Sequence, residues 1–290
     1  MVPMTDTDEA RRRYWTEQMQ LGDAFVQRLM AFPVRECGEP FASLPEAASA
    51  AAVEMAFADS PLVDDLPRVH FLRERLVRDL VAIGRDMNRR GWMLRIEDGF
   101  RSLEMQRRLV RKPEIFDAIL RRCVWENGGT VPSAELVGRR AIVLVANVPK
   151  IGTHMSGSAI DVTVLRRDDG REVWRGDSCG HMSERTPMRS PFVEPDCLHV
   201  RLEITAAMEA HGFRHYPFEF WHYSKGDAMQ HLLSGNPQPA PYGPVDWDSR
   251  TNQVVPVRDP AVPLNPLAVI EREITAALCR IADADRSHDH

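Results

Sequence analysis

Apolar residues at Trp15, Met19, Val26, Leu29 and Met30 recur at helical spacing, which predicts a helix over residues 7–32 ended by Pro33. The Ala-rich stretch 45–58 predicts a second helix, and Pro61 and Pro67 break the chain after it. Between Val69 and Met87 the apolar positions Leu72, Leu76, Leu80, Ile83 and Met87 fit an amphipathic helix. A turn at Gly91, a short strand Trp92–Ile96 and a helix Ser102–Val110 capped by Ser102 follow. The run AIVLVANV at 141–148 predicts a strand, and Ala159–Leu165, alternating and β-branched, predicts a half-buried one. Helical spacing returns at Leu198, Leu202 and Met208, with Gly212 as its stop, before an aromatic strand Phe218–Tyr223. Residues 235–266 hold eight of the 21 prolines and read as an extended strap. A last amphipathic helix carries Leu267, Ile270, Ile274, Leu278 and Ile281 on one side. Helices and strands mix without a regular βαβ rhythm, so the expected class is α+β: a small mixed or antiparallel sheet with flanking helices.

Composition narrows this picture. At 290 residues, 43% hydrophobic and 27% charged, the chain can build one large core without disulfide or metal staples. A net charge of −5 excludes the basic footprint of a nucleic-acid binder. Five dispersed cysteines (Cys37, Cys123, Cys179, Cys197, Cys279) with no CxxC suit free thiols in a reducing compartment. The first residues, MVPMTDTDEARRR, contain no apolar signal core, and no apolar run approaches the ~18 residues of a membrane span. A cytoplasmic protein without membrane or nucleic-acid partners is the expectation.

Three segments carry candidate chemistry. In Gly152-Thr-His154-Met-Ser-Gly157-Ser-Ala159-Ile-Asp161, a histidine precedes an aspartate by seven residues. Gly157 between them permits a tight reversal. Asp161 falls in a strand whose other face shows Ile160, Val162 and Val164. A carboxylate buried there needs a partner or a metal. In Glu219-Phe-Trp-His222, aromatic residues enclose a glutamate and a histidine. Two imidazoles and one carboxylate (His154, His222, Asp161) make a three-ligand catalytic zinc set. Glu219 outside that set could move the proton of a water. On a regular strand Glu219 and His222 would face opposite sides, which asks for Glu219 in a bend; on a helix they would share a face and Glu219 could be a ligand. In Asp98-Gly-Phe-Arg101-Ser, between strand and helix, Arg101 could hydrogen-bond a carbonyl oxygen that gains negative charge.

Singly, each residue has a plainer reading. A lone histidine is more often structural than a ligand, and an isolated arginine or glutamate more often a salt-bridge partner. The combination is far more specific than its parts. His70, His181, His199, His211, His215 and His231 lack such a setting and read as structural or surface residues, with His288 and His290 in the tail.

The two motifs resemble those of the D-Ala-D-Ala dipeptidases, zinc peptidases that share a fold with the Hedgehog signalling domain. That family's S-x-H-x-x-G-x-A-x-D and E-x-W-H are met by His154, Gly157, Ala159, Asp161, Glu219, Trp221 and His222. Asp98, Phe100 and Arg101 resemble its D-x-Y-R segment, and Met182–Thr186, Tyr216-Pro217, Gly226-Asp227 and Tyr242–Pro244 are similar too. The resemblance covers about 68–247. It implies a zinc peptidase domain at 68–247, an N-terminal helical extension at 1–67 and a Pro-rich strap with a C-terminal helix at 248–290, either addition being a possible route to a homo-oligomer. It implies one zinc ion held by His154, Asp161 and His222, Glu219 as general base and acid, Arg101 as stabiliser of the tetrahedral intermediate, and a small peptide as substrate. Two positions depart. Gly152 stands where the family has Ser. Ser178-Cys-Gly180-His-Met182 stands where the family has G-F-D-E-M, whose aspartate is expected to hold the substrate's amino group. Asp177 is the nearby substitute. A D-Ala-D-Ala-type dipeptidase, a carboxypeptidase or endopeptidase on peptidoglycan stem peptides, and a non-catalytic zinc-binding module are the readings left open.

Overall fold

The computed structural model describes residues 7–288; His290 lies outside the described residues, as does the side chain of His288. Helix α1 (Asp8–Ala31) starts where the Thr7 hydroxyl accepts from Ala10 N at 3.2 Å and buries Trp15, Met19, Val26 and Leu29. Strand β1 (Phe41–Ser43), helix α2 (Leu44–Ala50) and strand β2 (Met55–Phe57) follow. The Ala-rich stretch is thus helical only in part. The chain turns at Ala52, at φ 50°, and its end becomes an edge strand.

Strand β3 (Phe71–Arg73) leads into α3 (Glu74–Arg89), which buries Leu76, Leu80, Ile83 and Met87. Next come β4 (Trp92–Asp98), α4 (Leu103–Arg111), α5 (Pro113–Glu126) and α6 (Ala134–Val145). The Ser102 hydroxyl caps α4 by accepting from Met105 N, as its position predicts. Helix α5, which the pattern above leaves unassigned, begins at Pro113, well placed in a first turn. The strand expected at 141–148 is instead the end of α6, capped by Ser133 and closed at left-handed Ala146. Its apolar run is nearly continuous because Ile142 to Val145 belong to or pack against the cluster that α6 shares with α1 and α5, and also line a cavity. A short buried run looks the same in strand or helix.

The remaining elements are β5 (Ala159–Arg166), α7 (Pro195–Glu209), β6 (Arg214–Tyr216), β7 (Glu219–Ser224), α8 (Ala228–Leu233), β8 (Val245–Asp248), β9 (Gln253–Pro256) and α9 (Leu267–His288). The Pro-rich strap therefore contains a β8–β9 hairpin.

The main sheet has the order β2-β4-β5-β7-β6, with β2 parallel to β4 and the other pairs antiparallel. This is the α+β arrangement expected. One core joins α3 and α7 to the sheet through Leu80, Ile83, Ile96, Val162, Ile204 and Phe220. A second joins α1, α5, α6 and α9 through Trp15, Phe116, Val137 and Ile270. Strand β5 is buried from Ala159 to Val164, not half-buried: it lies between β4 and β7 in the sheet, with Ile160, Val162 and Val164 in the core and Asp161 lining a cavity. Among the described residues no helix is long and apolar enough to cross a membrane.

Candidate active site

Antiparallel pairing of β5 with β7 sets Asp161 directly opposite His222, so the ladder joins residues 61 apart in sequence. His154 arrives from a 3-10 turn, Thr153–Ser156, just before β5. That turn closes at Gly157, whose φ is +66° and whose Cβ, if present, would stand 2.2 Å from Phe41 Cε1. Only glycine suits both the left-handed backbone and that approach.

The ring nitrogens are sorted by their outer partners. His154 Nδ1 lies 2.7 Å from the Gly99 carbonyl oxygen, to which it donates, leaving Nε2 as the lone-pair atom. His154 Nε2 is buried, has no hydrogen-bond partner among the described residues, and stands 3.2 Å from Asp161 Oδ2. His222 Nε2 lies 2.8 Å from Thr153 Oγ1, and its Nδ1 lies 2.9 Å from Asp161 Oδ1. Donor atoms of His154, Asp161 and His222 all fall within 4.8 Å of one another. Outer hydrogen bonds of this kind fix ligand tautomers and ring planes in metal sites. A buried, partnerless imidazole nitrogen aimed at a carboxylate is a poor arrangement alone and a good one around a cation. The three residues fit a divalent metal.

Glu219 is the first residue of β7, beside a register shift between His215 and Tyr216, whereas His222 lies in the regular ladder. Both line the same cavity. Arg101 comes from the turn between β4 and α4. Its Nε donates to Asp98 Oδ2 at 2.5 Å, its Nη1 to Gln106 Oε1 at 3.3 Å and its Nη2 to Asp161 Oδ2 at 3.0 Å. Asp98, 1% exposed, also accepts from Gly99 N. Gln106 and Thr153 belong to the site although nothing in the sequence singled them out. Thr153 had one usable signal, its place next to His154.

The charges are strongly biased. Burial opposes the Asp161 charge, but His154 and His222 hold its carboxyl well below the usual range. Burial lowers His222, which favours its neutral, lone-pair form. Burial, reinforced by Asp161 and opposed by Arg101, pushes the Glu219 carboxyl well above the usual range. In metal-free protein we expect Glu219→Gln to raise the melting temperature at pH 8 and to leave it unchanged at pH 4. Below its ordinary value the carboxyl is protonated in folded and unfolded chains alike, so a neutral amide changes little. Above it the unfolded chain ionises freely while the same carboxyl in the folded chain resists, so the amide removes a cost. A lower melting temperature at pH 8 would contradict this.

These groups open on a cavity of about 290 Å³ between the sheet and α1, α4 and α6. Leu109, Ile142, Val145 and Met182 give it apolar walls, and Cys179, Gly180 and His181 form another side. Asp177 is not among its lining residues. It accepts from Ser178 N, pairs with His181 Nδ1 at 2.7 Å and accepts from Ser183 Oγ, so it is spent on its own loop. Burial raises the Cys179 thiol well above its ordinary value, which makes it a poor nucleophile. At Gly152, a Cβ would clash with the movable end of Met155, 2.1 Å away, and would otherwise make ordinary contact with the Pro149 carbonyl oxygen at 3.4 Å.

Comparison with known proteins shows a resemblance to the peptidases, a class of hydrolases. The family model described as D-Ala-D-Ala dipeptidase matches residues 130–240, which include His154, Asp161, Glu219 and His222 but not Arg101. The chain is 31% identical over 87 residues to D-alanyl-D-alanine dipeptidase of Enterococcus faecium, covering 30% of this chain and 43% of that protein. It is 23% identical over 225 residues to D-alanyl-D-alanine dipeptidase of Synechocystis sp., covering 71% of this chain and 90% of that one. The matched stretch thus spans less than half of the enterococcal relative.

Proposed function

We propose that the protein is a zinc-dependent peptidase that hydrolyses D-alanyl-D-alanine or a closely related D-amino-acid dipeptide. The observation that carries this reading is the convergence of three donors on one point, with each imidazole's outer nitrogen already engaged. His154 Nε2, His222 Nδ1 and an Asp161 oxygen would hold the ion. When bound, zinc supplies Lewis acidity, which acidifies a water and polarises a peptide carbonyl.

The other steps fall to side chains of this chain. Glu219 takes the proton of the attacking water and later gives it to the leaving amine. A half-buried carboxyl held well above its ordinary value suits both halves of that shuttle. Arg101, fixed by Asp98 and Gln106, donates to the carbonyl oxygen as negative charge grows there. The walls of α4 and α6 exclude water and confine the substrate to something small.

Arg101→Ala should lower turnover by about 10²–10³-fold, the usual cost of one oxyanion donor. An unchanged rate would make Arg101 purely structural. The whole reading is tested by incubating zinc-loaded protein with D,D-, L,D- and L,L-dipeptides. Release of D-alanine from D-alanyl-D-alanine or a D,D relative is expected; hydrolysis of none removes the claim.

A further inference from the structure

Among the described residues, four carboxylates line the cavity: Glu97, Asp98, Asp161 and Glu219. Three are committed. Asp98 holds Arg101 and Gly99 N, Asp161 faces the two imidazoles, and Glu219 is the proposed base. Glu97 is different. Its ion partner is Arg95, with Nε 3.5 Å from Oε1 and a side chain 41% exposed. A pair so open to solvent contributes little and gives way to a better partner.

Glu97 lines the cavity from near the end of β4, where the strand is irregular. Ile96 pairs with Val162 and Asp98 with Asp161, so Glu97 is the extra residue of a bulge. Alternation from core-facing Ile96 already puts Glu97 on the face of Arg95, Thr163 and Asp161, and the bulge brings Asp98 onto that face beside it. The same cavity is open at Gly180, another of its lining residues. Gly180 has a φ of +80°, and no heavy atom lies within 4 Å of where its Cβ would be. The Glu97 charge is also among those that raise the neighbouring Cys179 thiol, so the two residues are within electrostatic reach.

A dipeptide brings a free ammonium group into this largely apolar space, and an ammonium there needs a charged acceptor. Asp177, the candidate from the sequence, does not face the cavity. We infer that Glu97 is a specificity-determining residue that accepts the ammonium group of the substrate's amino end. This role rests on the peptidase reading above.

Two measurements on zinc-loaded protein test it: KM for D-alanyl-D-alanine, and the inhibition constant of propanoyl-D-alanine, which lacks only the amino group. Glu97→Gln should raise KM about tenfold, the worth of one charge-assisted hydrogen bond, with little change in kcat. It should leave the propanoyl-D-alanine constant unchanged. Glu97→Asp should restore part of the affinity, and Arg95→Gln should lower KM by removing the competing cation. Equal weakening of both ligands, or an unchanged KM, overturns the assignment while leaving the peptidase reading intact. A parent enzyme that cuts no dipeptide overturns that reading, and this role with it.

Discussion

Glu219→Ala is expected to lower dipeptide turnover by about 10²–10⁴-fold, the range that positioned general acid–base groups supply. Its zinc content should equal the parent's. The separation of these two readouts follows from the geometry: Glu219 lines the cavity, yet the converging donors come from His154, Asp161 and His222. Truncation removes the proton carrier and leaves each imidazole on its outer partner, Gly99 O for His154 and Thr153 Oγ1 for His222. Folding should not suffer, since a carboxyl that burial already disfavours is being removed. A variant that cuts as fast as the parent would show that the proton moves by another route. A variant that loses zinc would make Glu219 a ligand.

His154→Ala is expected to lose zinc and, with it, all measurable activity. It deletes one of three donors and leaves Asp161 facing a single imidazole. Since loss of an outer hydrogen bond alone weakens metal binding about 10–100-fold, loss of a ligand should exceed that. A thermal readout keeps this independent of turnover. Zinc at a hundred times its dissociation constant stabilises a folded protein by about 2.7 kcal/mol, so it should raise the parent's melting temperature and leave the variant's where it was. Full zinc occupancy in the variant would remove His154 from the ligand set.

The clustering of His154, Asp161 and His222 was more legible than the fold around it. His154, Asp161, Glu219 and His222 stand out because buried polar groups in strand-like, aromatic segments demand partners, and the Gly157 reversal marks where two of them meet. The sheet class could be read from alternation in Ala159–Leu165 and Trp92–Ile96. The end of α6 could not, because Ala141–Val145 is covered on two sides and has no polar face to reveal its period. The strand at Met55–Phe57 was hidden by helix-favouring alanines, and pairing with Leu94–Ile96 overrides them. Glu97 was illegible for a different reason. The strand read at Trp92–Ile96 stops one residue short of it, and the cavity it faces is completed by segments distant in sequence. Asp177 shows the converse: proximity in sequence made it a candidate, and His181 and Ser183 claim it instead.

Everything proposed for this site depends on one zinc ion held among His154, Asp161 and His222. Anomalous diffraction at the zinc edge, from crystals of the zinc-loaded protein, tests it most directly. A single strong peak per chain is expected, within coordination distance of His154 Nε2, His222 Nδ1 and an Asp161 oxygen. A peak elsewhere, or none at this cluster with full zinc loading, would contradict it.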